Sequence, residues 1–164
     1  MDERSYLYSP WRMDYILGEK QSGCVFCHAR DSKNDEENLV LYRAEHSYII
    51  LNRYPYNNGH LLIVPNAHQM CINDLAPEAF SEMNALVRTL ERVLKEVYHC
   101  DGINLGMNLG SAAGAGIEAH LHMHMVPRWR GDSNFMGVVA GERVIPEAFE
   151  TTYKKLKDEL LRQI

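Results

Sequence analysis

Gly114-Ala115-Gly116-Ile117-Glu118-Ala119-His120-Leu121-His122-Met123-His124-Met125-Val126-Pro127 is the stretch on which the reading of this chain turns. Three histidines alternate with apolar residues. Side chains on a β-strand point to opposite faces at every step. A strand here puts His120, His122 and His124 on one face and Leu121, Met123 and Met125 on the other. The apolar face packs on a core, and the histidine face holds a row of imidazoles about 6–7 Å apart. Imidazole serves as nucleophile, general acid or base, or metal ligand near neutral pH. The small residues leading into the row expose backbone N–H groups, a surface suited to phosphate. Together these features point to phosphoryl or nucleotidyl transfer. A simple metal-binding strand is the rival reading. An expression tag is excluded, because the run is interior and interleaved with hydrophobic residues.

Outward from that stretch, Ile103-Asn104-Leu105-Gly106-Met107-Asn108 alternates like a strand, and residues 109–116 form a loop rich in glycine. No Gly-Lys-Ser/Thr follows, so the loop is not a P-loop. It opens no helix either, which argues against a Rossmann dinucleotide fold. Upstream, Pro77 and Glu78 suit a helix start. Phe80, Met83, Leu86, Leu90, Val93, Leu94 and Val97 then recur at three- and four-residue steps, giving one apolar stripe that reads as core. His99 and Cys100, at its end, read as structural. Leu39–Arg43, Ser47–Asn52 and His60–Pro65 read as three short antiparallel strands, and residues 53–59 as a loop of turn residues. Residues 31–38 are a polar surface loop. Cys24-Val25-Phe26-Cys27 has the spacing of half a zinc site, and no second cysteine pair follows, so histidines would have to complete the shell. At the start, Pro10, Trp11, Tyr15 and Ile16 suggest a short packing helix over 9–16. Downstream, Arg128 and Arg130 could meet polyphosphate, and Trp129 or Phe135 could stack on a base, with a solvated exit loop the alternative. A final helix is expected from Pro146, with Phe149, Tyr153, Leu156, Leu160 and Leu161 facing inward.

The chain has 164 residues, enough for one domain with a real core. Its expected divisions are an extension with Cys-x-x-Cys over about 1–38, a core over about 39–130 and a C-terminal helix over about 146–164. The net charge of −5 gives no broad attraction to nucleic acid or to a membrane surface. No apolar run approaches a membrane span, and the N-terminus has no signal-peptide core. Four cysteines, only two of them close together, fit a reduced cytoplasmic setting.

At this point the chain resembles the histidine triad superfamily. The resemblance rests on His120-Leu121-His122-Met123-His124-Met125-Val126, on Asn52 eight residues before His60, on Asn108 upstream of the glycine-bearing loop, and on Cys24, Cys27 and the Pro65-to-His68 step. Ser9-Pro10-Trp11-Arg12-Met13, Asn104-Leu105-Gly106-Met107-Asn108-Leu109-Gly110 and Pro127-Arg128-Trp129 are similar to the bacterial diadenosine tetraphosphate phosphorylases within it. The resemblance implies an α+β domain, with an antiparallel sheet of about five strands, one long helix and flanking terminal helices. It implies phosphorolysis of an adenine dinucleoside polyphosphate by inorganic phosphate, giving ADP and ATP. His122 would be the nucleophile, His124 and His60 would complete the catalytic face, and Asn52 would hold ribose. Asn108, Ser111, Gly114, Gly116 and Ile117 would line the phosphate site. Cys24, Cys27, His68 and His120 would bind a structural zinc ion, with no organic cofactor. Two copies would pair as a homodimer or a higher homo-oligomer.

The resemblance has one departure. Many relatives carry a serine or threonine three residues before the first triad histidine, where this chain has Ile117. A hydroxyl cannot act from there, so Ser111, Glu118 or a backbone N–H must replace it. Two other readings accompany the phosphorylase: a hydrolase of dinucleoside polyphosphates or nucleoside phosphoramidates, and a zinc-stabilised nucleotide-binding module without turnover.

Overall fold

A computed structural model of the chain describes residues 23–132 and 147–164. The helix expected over 9–16, Phe135 and the start at Pro146 lie outside the described residues. Five strands form one antiparallel sheet: β1 (Val40–Arg43), β2 (Ser47–Leu51), β3 (Leu61–Pro65), β4 (Gly102–Met107) and β5 (Met123–Arg128), in the order β1-β2-β3-β5-β4. Three α-helices accompany it: α1 (Val25–Asp31), α2 (Pro77–Tyr98) and α3 (Phe149–Gln163). Among the described residues, no helix is long and apolar enough to cross a membrane.

β3 is apolar throughout and β2 is apolar after Ser47, because both of their faces are covered. On one side Ile49, Leu51, Leu61, Ile63, Met123 and Met125 share a core with Met83, Leu90 and Leu94 of α2 and with Leu156 and Leu160 of α3. Each such side chain contributes about 1.5–3 kcal/mol by leaving water. The apolar stripe therefore holds α2 in place more than its intrinsic helix propensity does. On the other side Tyr48, Ile50, Leu62 and Val64 meet Phe26 and Ala29 of α1. β4, one of the two edge strands, shows Leu105 to solvent at 52% exposure.

The sequence reading has no helix at the cysteines, and the structure places one there. α1 has seven residues, too few to stand alone in water. Side chains from the sheet hold it. The Arg43 guanidinium donates to the carbonyls of Ala29 (2.8 Å), Arg30 (2.7 Å) and Ser32 (3.1 Å), and pairs with Asp35 at 2.7 Å. Those carbonyls are the ones a helix C-terminus leaves without partners. The buried Tyr48 hydroxyl donates to the Phe26 carbonyl at 2.7 Å, and Arg30 donates to the Asn66 carbonyl at 2.7 Å.

Two expectations need correction. The histidine strand begins only at Met123, so His120 and His122 precede the ladder. Pro65 has no N–H to extend pairing from β3, and the Leu121 amide bonds the Gln69 carbonyl instead, at 2.7 Å. The in-and-out alternation survives: Leu121, Met123 and Met125 are in the core. Leu161 does not face inward, being 58% exposed. Tyr153, Leu156 and Leu160 follow the three- and four-residue steps of one stripe, and Leu161 falls about 100° away from it.

α2 ends where His99 takes a left-handed conformation (φ 47°) and its amide bonds the Lys95 carbonyl. Just before it, Tyr98 lies against the loop that leads into β3. Gly59 there has φ +70°, and a Cβ on it would sit 2.6 Å from Tyr98 Cε2. Trp129 donates its indole N–H to the Tyr98 carbonyl at 3.2 Å, and Arg128 is held by both oxygens of Asp132 and by Asn104. These two side chains are therefore engaged with the protein itself. Arg130 bonds Asp101 through its backbone amide.

Candidate active site and metal cluster

The alternation that buries Met123 and Met125 turns His122 and His124 to the sheet face that carries α1. Their rings lie 4.9 Å apart, centroid to centroid. His60, immediately before β3, joins them from the neighbouring strand, with its ring 5.2 Å from that of His124. The hydrogen bonds then determine which nitrogen of each ring carries the proton.

His60 is fully buried, and burial together with His124 pushes its pKa down to about 3, so it is neutral near pH 7. The backbone N–H of Tyr56 donates to its Nδ1 at 3.0 Å, and the Asn52 amide stands 3.2 Å from the same atom. Both groups are donors, so Nδ1 is the bare nitrogen and the proton sits on Nε2. That Nε2–H donates to Nδ1 of His124 at 2.9 Å. His124, pushed down to about 4 by burial and by His122, is neutral too. Its proton must therefore sit on its own Nε2, a buried atom without a hydrogen-bond partner among the described residues. A chain of two neutral imidazoles thus ends in an unpaired N–H donor.

His122 is fixed differently. Its Nδ1 lies 2.9 Å from the carbonyl of His120, which can only accept, so Nδ1 carries the proton. The Nε2 lone pair is then free, and burial pushes the pKa of the ring down, which keeps that pair unprotonated. A lone-pair nitrogen beside an unpaired N–H can attack an electrophile while a donor stabilises the developing charge.

His120 points away from this pair. It is buried, and its Nε2 donates to the Pro65 carbonyl at 2.9 Å. Its Nδ1 lone pair faces Cys24 Sγ at 3.3 Å and Cys27 Sγ at 3.7 Å, while His68 Nδ1 is 3.1 Å from Cys27 Sγ. All four donor atoms lie within 4.8 Å of one another. Zinc bonds of about 2.0–2.3 Å give tetrahedral edges of about 3.3–3.8 Å, so two thiolates and two imidazoles at these separations fit a closed zinc shell. The Pro65 bond is the kind of outer partner that fixes a ligating histidine's tautomer.

The other sequence candidates lie around these groups. Asn52 accepts the Tyr54 amide at 2.9 Å with its Oδ1, an Asx turn that shapes the loop before His60. Asn108 donates to the Gly114 carbonyl at 3.4 Å, at the neck of the glycine loop. Ser111, Gly114 and Gly116 are exposed, with Ser111 in a single 3-10 turn over Ser111–Ala113. Ile117 packs against the apolar cluster that contains Phe26. Sequence reasoning missed the Tyr56 backbone amide, which no side-chain pattern could reveal. It also missed Arg43, Tyr48 and Phe26. Only Phe26 leaves a sequence signal, as an aromatic residue between two cysteines.

The HIT domain model matches residues 33–131. An "AP-4-A phosphorylase" of Mycobacterium tuberculosis is 36% identical over 99% of this chain and 87% of its own length. An asymmetrical bis(5'-nucleosyl)-tetraphosphatase of Schizosaccharomyces pombe is 29% identical over 63% of this chain and 56% of that protein. Among solved structures, a zinc-bound histidine triad family protein of Mycobacterium smegmatis superposes with a TM-score of 0.69, at 30% identity over 85% of this chain and 94% of its own. The domain match, the similarity along nearly the whole chain and the shared architecture agree with the row of histidines: the chain belongs to the HIT domain family.

Proposed function

We propose that this nucleotide-processing enzyme catalyses phosphorolysis of diadenosine tetraphosphate through a covalent nucleotidyl-His122. The observation that carries the reading is the pairing of a free Nε2 lone pair on His122 with the unpaired Nε2–H of His124. His122 Nε2 attacks the α-phosphorus, the bond to the bridging oxygen breaks, and ATP leaves. Inorganic phosphate then attacks the same phosphorus, the P–N bond breaks, and ADP leaves with the imidazole restored. Two displacements replace one difficult step. His124 donates to a phosphate oxygen as its charge develops, and His60 holds His124 in the tautomer that can donate. Asn52 faces the ribose. Asn108 and the backbone amides around Gly114 to Ile117 contact phosphate oxygens in place of the hydroxyl that Ile117 cannot supply. The 36% identity to a protein of the same named activity supports the choice of acceptor.

Cys24, Cys27, His68 and His120 would hold zinc, whose part is structural: it offers no open position and ties α1 to the start of the histidine row. The open edge of β4, with Leu105 exposed, is where a second copy would continue the sheet. The similarity to a tetraphosphatase supports one rival, in which water is the acceptor.

Incubation with diadenosine tetraphosphate, with and without phosphate, separates the two. ADP plus ATP formed only with phosphate is the expected result, and AMP plus ATP in both conditions would refute it. The His122→Ala variant should bind nucleotide and turn none over.

A further inference from the structure

α1 brings both cysteines to the metal cluster, and it also carries a ring to the catalytic face. Phe26 lies between Cys24 and Cys27 in the sequence and is 4% exposed. Its ring centroid is 4.9 Å from that of His122, tilted by 50°, and 5.4 Å from that of His120, edge-on at 74°. One side chain therefore touches a candidate metal ligand and the proposed nucleophile. Its own backbone is pinned by the Tyr48 hydroxyl at 2.7 Å. The second link is a hydrogen bond between near neighbours: the His120 carbonyl accepts from His122 Nδ1 at 2.9 Å. Any shift of α1 relative to His120 must move the Phe26 ring against His122, because close-packed side chains do not deform freely.

We propose that Phe26 is a positioning residue for the nucleophile, and that filling the Cys24–Cys27–His68–His120 cluster sets the orientation of the His122 ring through it. The metal site would then act on the reaction without touching the substrate. In a loosened cluster α1 retains its clamps from Arg43 and Tyr48 but loses its direct tie to His120. Phe26 then no longer presses His122 into a single rotamer. The inference rests on the assignment of His122 as nucleophile.

Two measurements on the full chain test it. The first follows the imidazole signals of His122 by NMR as zinc is titrated into metal-stripped protein. They should move with one equivalent of zinc, together with the ring signals of Phe26. The second compares wild type with Phe26→Leu. The variant should still take one cobalt ion with a tetrahedral thiolate spectrum and keep KM within about twofold, while kcat falls about tenfold to a hundredfold, the scale of a small misplacement of a reacting group. His122 signals that ignore zinc, a kcat that is unchanged, or a loss of kcat that tracks a loss of cobalt would each overturn the proposal. A wild-type chain without turnover would remove the nucleophile assignment and leave the ring coupling to be decided by the zinc titration alone, which needs no substrate.

Discussion

Replacing His60 by alanine tests the hydrogen-bond chain that orients His124. The side chain is fully buried, and it accepts from the Tyr56 amide at 3.0 Å and donates to His124 at 2.9 Å. Its loss takes the acceptor away from the Tyr56 N–H, at a cost of about 1–3 kcal/mol. The void adds roughly 2 kcal/mol or more. A total near 4 kcal/mol should lower the melting temperature by about 8–16 °C in a chain of this size. The effect on catalysis is separate. Without His60, the proton of His124 can sit on either nitrogen, and the donor aimed at phosphate is no longer fixed. Loss of one such preorganised donor typically costs about a hundredfold to a thousandfold in kcat. Steady-state assays below the melting range should show that loss. His60→Gln, whose amide N–H can reach Nδ1 of His124, should recover at least about tenfold of it. A folded His60→Ala protein with kcat within about threefold of wild type would refute the reasoning, since it would show that no catalytic donor depends on His60. So would nitrogen NMR showing the His124 proton on Nδ1.

Acid should weaken the fold through the same residues. His60 and His124 are held at about 3 and about 4, well below the ordinary histidine value, so the unfolded chain protonates first. Their contribution is complete above about pH 6.5 and is lost progressively as pH falls from there to about 4 for His124 and about 3 for His60, so the urea midpoint should drop across that window; a flat midpoint would count against the assignment. Stripping zinc with a chelator should release one ion per chain, and restoring it to about a hundred times its Kd should return about 2.7 kcal/mol, or about 5–11 °C in melting temperature. Cys27→Ala should not respond to zinc at all, and an equal response in that variant would exclude the cluster.

Much of this was legible because the relevant patterns are local. The alternation of His120 to Met125 determines which side chains face the core, and the stripe from Met83 to Leu94 locates α2 and its buried face. Cys24, Cys27, His68 and His120 could be grouped only by resemblance, since nothing in their spacing brings residue 68 to residue 24. What escaped depends on partners far along the chain. α1 exists because Arg43 and Tyr48, on strands folded later in the sequence, satisfy its carbonyls. The histidine ladder starts late because Pro65, on another strand, lacks an amide proton. Leu161 looked inward because apolar character was read without its angle around the helix. The proton positions rest on a backbone N–H at Tyr56, which every residue but proline has and no pattern marks.

Gly59 carries a consequence for how this protein can vary. Its left-handed backbone and the 2.6 Å approach of any Cβ to Tyr98 leave no room for another side chain unless Tyr98 withdraws. Tyr98 is not free to withdraw: its hydroxyl donates to Glu147 at 2.8 Å, and its ring meets Trp129 edge-on at 6.2 Å. His60 follows Gly59 directly, so the row of imidazoles inherits its placement from contacts at the far end of α2 and ahead of α3. Mutations at Glu147 or Trp129, remote from any phosphate, would be felt at the imidazoles, and drift at those positions is coupled to the upkeep of the reaction.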